Sequence, residues 1–294
     1  MIGFALIIVG GVFLLLYPTA SNWLNQYTQS NVISDYQQSL EQITDEDKLR
    51  QIEDARQYNQ ELIGNVVLKD PFDAEALKVM NENYPKLLAV NYSGVMGYID
   101  IPKIDVDLPI YHGTSTEVLT MGVGHLENTS LPVGGLGTHA VLSGHTGLPS
   151  AKIFTDLNKL EINDVFYIKV MDETLEYKIN QIKIVEPSNT QDLLIDTNHD
   201  YVTLVTCTPY GVNSHRLLVR GERVENSQAD NDQLQVDNSS RNNIDNNKIL
   251  GLPTMIFFFV IVVVAAVLAT VTIIVIKRKK MKQHNVTKET GDSQ

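Results

Sequence analysis

Thr203–Arg216, TLVTCTPYGVNSHR, holds the single cysteine of a 294-residue chain. Val202 to Val205 is β-branched and apolar, the composition of a buried strand. Thr206 and Cys207 stand where that strand ends, because Pro209 and Gly211 force a turn directly afterwards. A second strand, His215 to Val219, resumes after the turn and carries Arg216. The two strands can thus hold a thiol and a guanidinium close together. Two interpretations fit these residues alone: a reactive site, or a small buried cysteine beside a surface arginine, since free cysteine is commonly core.

Working outward, the same texture begins near Val95: MGYIDI, VDLPIY, THAVLS, VFYIKV, LEYKINQIKIVE, YVTLVT and HRLLVR are short β-rich segments separated by Gly, Pro and Asp. Their number and spacing predict an all-β barrel or sandwich. No internal repeat is present. Upstream, Ile33, Tyr36, Leu40 and Ile43, then Leu49, Ile52 and Ala55, recur at spacings of three and four, which predicts amphipathic helix over Val32–Leu62. Thr44 with Asp47 three residues on resembles a capping box and breaks the run into two helices, the second ending near Gly64. Asp70-Pro71-Phe72 fits a helix start, with Asp70 as N-cap, Pro71 at the first helical position, Asp73 as the capping acid and a short run to Met80 that Pro85 ends.

Composition, 43% hydrophobic and 20% charged, suits a globular protein with membrane content. Leu252–Ile276 lacks any charged side chain over 25 residues and is followed by Lys277, Arg278, Lys279, Lys280 and Lys282. A transmembrane helix with a cytoplasmic basic tail follows from that pattern. Ile2–Leu16 is uniformly apolar and is read as an uncleaved anchor or the apolar region of a signal peptide; no charge precedes Asp35, and Thr19-Ala20-Ser21 is a poor cleavage site. The middle of the chain is then exported, where a lone thiol has no intramolecular disulfide partner and reactivity becomes the better explanation for it. The net charge is −12, and because residues 277–294 carry +4 the remainder carries −16, a poor match for nucleic acid. Asn226–Asn247 is polar and reads as a tether.

A cysteine nucleophile needs a partner that carries protons at neutral pH, usually histidine. Of seven histidines, His284 is in the tail and His199 in a polar loop, leaving His112, His125, His139, His145 and His215, which spacing alone does not rank. His145 has the best local case, following THAVLS between Gly144 and Gly147 at an open strand end. No CxxC or HxxxH spacing points to a metal, and Gly134-Gly135-Leu136-Gly137 has no following helix to make a phosphate cradle.

TLVTC ending at Cys207, Arg216 in NSHR and His145 in LSGHTG together resemble the signature of sortases, the cell-surface transpeptidases of Gram-positive bacteria. YIDIPKIDVDLPIYHG, GVGHLENTSLPVGG and THAVLSGHTGLPSAKIF are similar to the pilin-polymerising branch, class C, as are the helical extension and C-terminal span. The resemblance implies a mainly β fold: an eight-stranded sortase β-barrel with an N-terminal helical extension and lid and a C-terminal transmembrane helix. It implies an anchor or signal segment over 1–24, a helical region with lid over 25–93, the barrel over 94–225, a linker over 226–250, the span over 251–276 and a basic cytoplasmic tail over 277–294. Cys207 is then the nucleophile, His145 the general acid/base and Arg216 the support of the tetrahedral intermediate. Asp70, Pro71 and Phe72 look like the class C lid motif, the acid pairing with Arg216 and the ring covering Cys207; a helix cap and a lid are partly compatible. The implied partners are pilin subunits with an LPXTG-like motif and an acceptor lysine, and the membrane, with no cofactor and no nucleic acid. Attachment of proteins to a cell-wall precursor, and a non-catalytic membrane-tethered β domain, are the competing interpretations. The implied location is the plasma membrane, with the catalytic domain outside.

Overall fold

The computed structural model describes residues 2–63, 68–73, 83–224, 248–249 and 252–253. The chain divides into two compact units, Pro18–Asn226 and Met1–Tyr17 with Ser227–Gln294. Eight strands of the first unit close into a barrel: β1 (Val95–Ile101), β2 (Val106–His112), β3 (Val123–His125), β4 (Thr138–Ser143), β5 (Val165–Val170), β6 (Glu173–Val185), β7 (Asp200–Thr208) and β8 (His215–Arg223). Their order around the barrel is β1-β2-β3-β4-β7-β8-β6-β5, with β1 returning to β5. Pairing is antiparallel except for β2 with β3 and β4 with β7. Seven strands fall on the seven β-rich segments. The eighth, β3, is three residues long with glycine at its centre, too short to show alternation.

Alternation sorts the side chains. Ala140, Leu142, Val202, Leu204, Leu217 and Val219 fill the interior with Phe166, Ile168 and Ile99. Val141, Val205 and Leu218, one residue out of phase, point outward into a smaller cluster with Leu126 and Leu193. Closing the barrel leaves no open sheet edge.

Helix α1 (Ile2–Gln42) and helix α2 (Asp45–Leu62) are separated at Thr44, whose hydroxyl accepts from the Asp47 N–H at 3.1 Å and donates to its carboxylate at 2.8 Å. Ile33, Tyr36, Leu40, Ile52 and Ala55 are buried as the periodicity requires. Leu49 is not; it is 70% exposed. Lys48, one residue before it, lies against the barrel unit with its ammonium 2.6 Å from Asp172. Asn59 on α2 is buried and both donates to and accepts from the Leu131 backbone, at 3.1 and 2.6 Å. Helix α1 begins well before the predicted Val32 and passes through Pro18. Polar side chains along it are tied to the barrel unit: Ser21 and Asn25 donate to the Ser150 carbonyl, Asn22 accepts from Lys152 N–H and Gln29 donates to the Met121 carbonyl.

At the end of the barrel where β7 begins, buried Asp200 accepts from Gly135 N–H, the Tyr177 hydroxyl and Thr138 Oγ1 at 2.7, 3.0 and 3.3 Å. The Gly134–Gly137 turn, with φ of 67° and 116° at its first two residues, therefore wraps the protein's own carboxylate.

Leu252 and Pro253, the first residues of the expected span, pair with Lys248 and Ile249 in a two-residue antiparallel ladder. Proline has no N–H for a ladder and tolerates such an edge position. The rest of the expected span, most of the expected linker, the basic tail and the Asp73–Met80 helical run beyond Asp73 lie outside the described residues. Among the residues whose side chains are described, no helix is long and apolar enough to cross a membrane.

Candidate active site

Cys207 and Arg216 are register partners on β7 and β8. Residues directly opposite on neighbouring antiparallel strands project to the same face, and this one is the outer face, because Val205 and Leu218 two residues away belong to the outer apolar cluster. The turn between them is tight because Val212 and Asn213 N–H both donate to the Pro209 carbonyl, at 3.0 and 2.9 Å.

His145 arrives from the other side of β7. Ser143 on β4 pairs in parallel with Val205, and Gly144 N–H donates to the Val205 carbonyl at 3.0 Å, carrying the ladder one residue past the strand. Thr206 Oγ1 donates to the Gly144 carbonyl at 2.7 Å from a buried position. The residue before the thiol thereby fixes the residue before the imidazole. Sequence reasoning overlooked this tie; a buried threonine adjacent to a candidate nucleophile was the available signal. A Cβ at Gly144 would meet the fully buried Phe154 ring at 2.7 Å. Gly144→Ala is therefore expected to destabilise the fold by about 1–3 kcal/mol, read as a lower midpoint in urea denaturation.

Asp70, Pro71 and Phe72 sit over this corner. Arg216 Nε donates to Asp70 Oδ1 at 2.9 Å and Nη2 to Oδ2 at 2.6 Å, a bidentate fork whose side chains are only 11% and 15% exposed. Arg216 Nη1 donates to the carbonyls of Asn213 and His215, both at 3.1 Å. The Phe72 ring lies 5.7 Å from the His145 ring and 5.0 Å from the Arg216 guanidinium carbon, between centroid and atom. Leu68 and Phe72 rest on the outer apolar cluster. Asp70 also has cap-like geometry: its Oδ1 accepts from Phe72 N–H at 3.4 Å and its carbonyl from Asp73 N–H at 3.0 Å. The expected pairing of Asp70 with Arg216 is present, the ring lies against His145 and Arg216, and the helix that Asp70 would cap lies outside the described residues.

The other histidines are engaged elsewhere. His125 is buried between the Tyr84 hydroxyl and the Ser130 carbonyl, and His139 between the Leu194 carbonyl and the Thr203 hydroxyl. Both are depressed to about 4 by burial. His112 faces the carbonyls of Leu87 and Gly94, and exposed His215 contacts Ser214.

Burial pushes the Cys207 thiol up; Arg216 opposes this and Asp70 adds to it. Burial also pushes the His145 imidazole down. With Asp70 seated on the guanidinium, burial favours the neutral form of both the thiol and the imidazole. Such an arrangement holds a thiol, an imidazole and a forked guanidinium at one barrel end, with the guanidinium already occupied.

A profile for the Sortase domain matches residues 99–224. Sortase C-1 from Streptococcus pneumoniae is 47% identical over 67% of this chain and 99% of its own, with a TM-score of 0.62. A Streptococcus pneumoniae sortase C studied for catalysis and pilin substrate specificity is 39% identical over 68% of this chain and 99% of its own, with a TM-score of 0.61. Sortase D of Bacillus subtilis is 30% identical over 131 residues, 44% of this chain and 63% of its own length. The chain spans roughly three fifths of the length of three curated relatives it matches, 63%, 60% and 57%. Nearly complete coverage of solved relatives at well over 30% identity decides the matter: this chain belongs to the sortase family, and its solved structural neighbours are class C sortases.

Proposed function

We propose that the protein is a cysteine transpeptidase that cleaves an LPXTG-like motif between Thr and Gly and joins the Thr carbonyl to a lysine amine of another pilin subunit. The observation that carries this reading is the cross-strand pairing of Cys207 with Arg216 beside the ring that also stacks near His145. The pilin substrate follows the class C neighbours, one of which bears pilin specificity in its description.

On this reading the Cys207 proton passes to His145, and the thiolate attacks the Thr carbonyl. Arg216 donates to the oxyanion. His145 then gives its proton to the departing Gly amine, leaving a Cys207 thioester. In the second half a lysine ε-amine attacks the thioester, His145 takes its proton, and the thiolate leaves as an isopeptide bond forms. No cofactor enters either half.

Asp70, Pro71 and Phe72 act as a lid, because the fork to Asp70 occupies the donors that the oxyanion needs. Asp70→Ala removes two charge-assisted hydrogen bonds, a loss of order 1.5–3 kcal/mol. Labelling of Cys207 by a thiol reagent is expected to rise about ten- to a hundredfold at neutral pH. The alkaline rise in labelling rate should also move to lower pH, since Asp70 raises the thiol and its removal leaves Arg216 uncompensated. Unchanged labelling kinetics would remove the lid from this account.

The charge-free stretch 252–276 and the basic cluster after it support a plasma-membrane location with the barrel outside and the tail cytoplasmic. Polymerisation is tested by mixing the detergent-solubilised protein with candidate pilins and searching for denaturant-resistant ladders. Single-subunit transfer to a cell-wall peptide without ladders would replace polymerisation by wall attachment.

A further inference from the structure

On the outer face, β4, β7 and β8 present alternate residues in register: His139, Val141 and Ser143; Thr203, Val205 and Cys207; Arg216, Leu218 and Arg220. Apart from the Cys207 thiol, the polar members of this face are engaged, with one exception. His139 Nε2 and Thr203 Oγ1 are 2.7 Å apart, Arg220 Nε donates to Asn180 Oδ1 at 3.0 Å, and Arg216 is held by Asp70. Ser143 is 0% exposed, and its hydroxyl has no hydrogen-bond partner among the described residues. The other such buried atom, His199 Nδ1, at least has the Asp196 carboxylate 3.1 Å away. A buried hydroxyl without a partner costs stability, and native proteins keep few of them.

The position of this orphan is informative. Ser143 pairs with Val205, whose side chain belongs to the cluster on which Leu68 and Phe72 rest. It lies two residues before His145, and Val205 lies two residues before Cys207. Along the strand direction the hydroxyl is thus one pleat repeat from the thiol, about 7 Å, the length of two residues of extended peptide. A peptide that replaced Leu68 and Phe72 on this face, with its reacting carbonyl at Cys207, would bring main-chain groups to Ser143.

We propose that Ser143 is a substrate-positioning residue whose hydroxyl, unpaired while the lid covers this face, donates to a main-chain carbonyl of the bound peptide about two residues from the reacting carbonyl. The proposal rests on the transpeptidase reading above. Contact with the peptide main chain fixes its register without reading its side chains.

The test is thioacyl-enzyme formation, followed by intact mass against concentration of an LPXTG-containing peptide, in an Asp70→Ala background where the lid does not compete. Ser143→Ala should raise the half-saturating concentration about five- to tenfold while leaving the maximal rate within about twofold. Its thermal midpoint should equal or exceed that of the parent, because an unpaired hydroxyl has been removed, and thiol labelling of Cys207 should be unchanged. An unchanged half-saturating concentration would overturn the role. So would a lower thermal midpoint with a proportionate fall in maximal rate, which would mark the hydroxyl as structural. No adduct in the Asp70→Ala protein with Ser143 intact would overturn the reaction itself, and this role with it.

Discussion

Cys207→Ala is expected to abolish thioacyl formation and pilin ladders, a loss of at least about 10⁴-fold in the transfer rate. The size of the effect follows from what surrounds the thiol. Cys207 is the single cysteine, so no second sulfur can substitute. Of the two adjacent hydroxyls, Thr206 Oγ1 is committed to the Gly144 carbonyl at 2.7 Å, and Thr208 is one residue out of phase with Cys207 on the strand, so its side chain projects to the opposite face. The fold should survive, because Cys207 is half-buried at a strand end and alanine preserves the backbone pairing with Arg216. The measurement is intact mass after incubation with a sorting-motif peptide. An adduct on the alanine variant would place the nucleophile elsewhere and end the present account.

Arg216→Lys is expected to lower the acylation rate about 10²- to 10³-fold, the range seen when one oxyanion donor is lost. Charge is retained, so any large effect belongs to geometry. Arg216 uses all three nitrogens at once: Nε and Nη2 hold the two Asp70 oxygens, and Nη1 holds the Asn213 and His215 carbonyls. A lysine ammonium is a point charge and cannot span the carboxylate while bracing the turn. The same substitution should loosen the lid, so thiol labelling accelerates while peptide transfer falls. Opposite signs for the two rates separate this from general damage to the fold. Near-normal ladders from Arg216→Lys would sink the forked-donor role.

Much of this site could be read from residue order because its parts are local. A strand, a turn and a returning strand put Cys207 opposite Arg216 once the hairpin register is set, and Pro209 with Gly211 marks that turn. The seven long strands were legible for the same reason: each carries enough residues to show its composition. β3 was not, since Val123-Gly124-His125 is too short for a period, and its pairing with β2 is parallel and non-local. Choosing His145 from five histidines needed the resemblance as well as its glycines. The burial that disqualifies His125 and His139 depends on residues far along the chain, Tyr84 and Leu194 among them. Leu49 shows the reverse failure. The apolar pattern holds from Ile52 on, while at the first turn the inward place is taken by Lys48, paired with Asp172.

The fork between Asp70 and Arg216 makes the chain its own competitive ligand. A peptide arriving at Cys207 meets the guanidinium only in the fraction of molecules whose Asp70 has left, so its apparent affinity is the intrinsic one scaled by that fraction. Dilution does not relieve such competition, because the competitor is tethered and its effective concentration is fixed by the chain. Local crowding of substrate does relieve it. On the proposed function, such a chain stays quiet when substrate is sparse and works where it accumulates, with a threshold set by a single carboxylate.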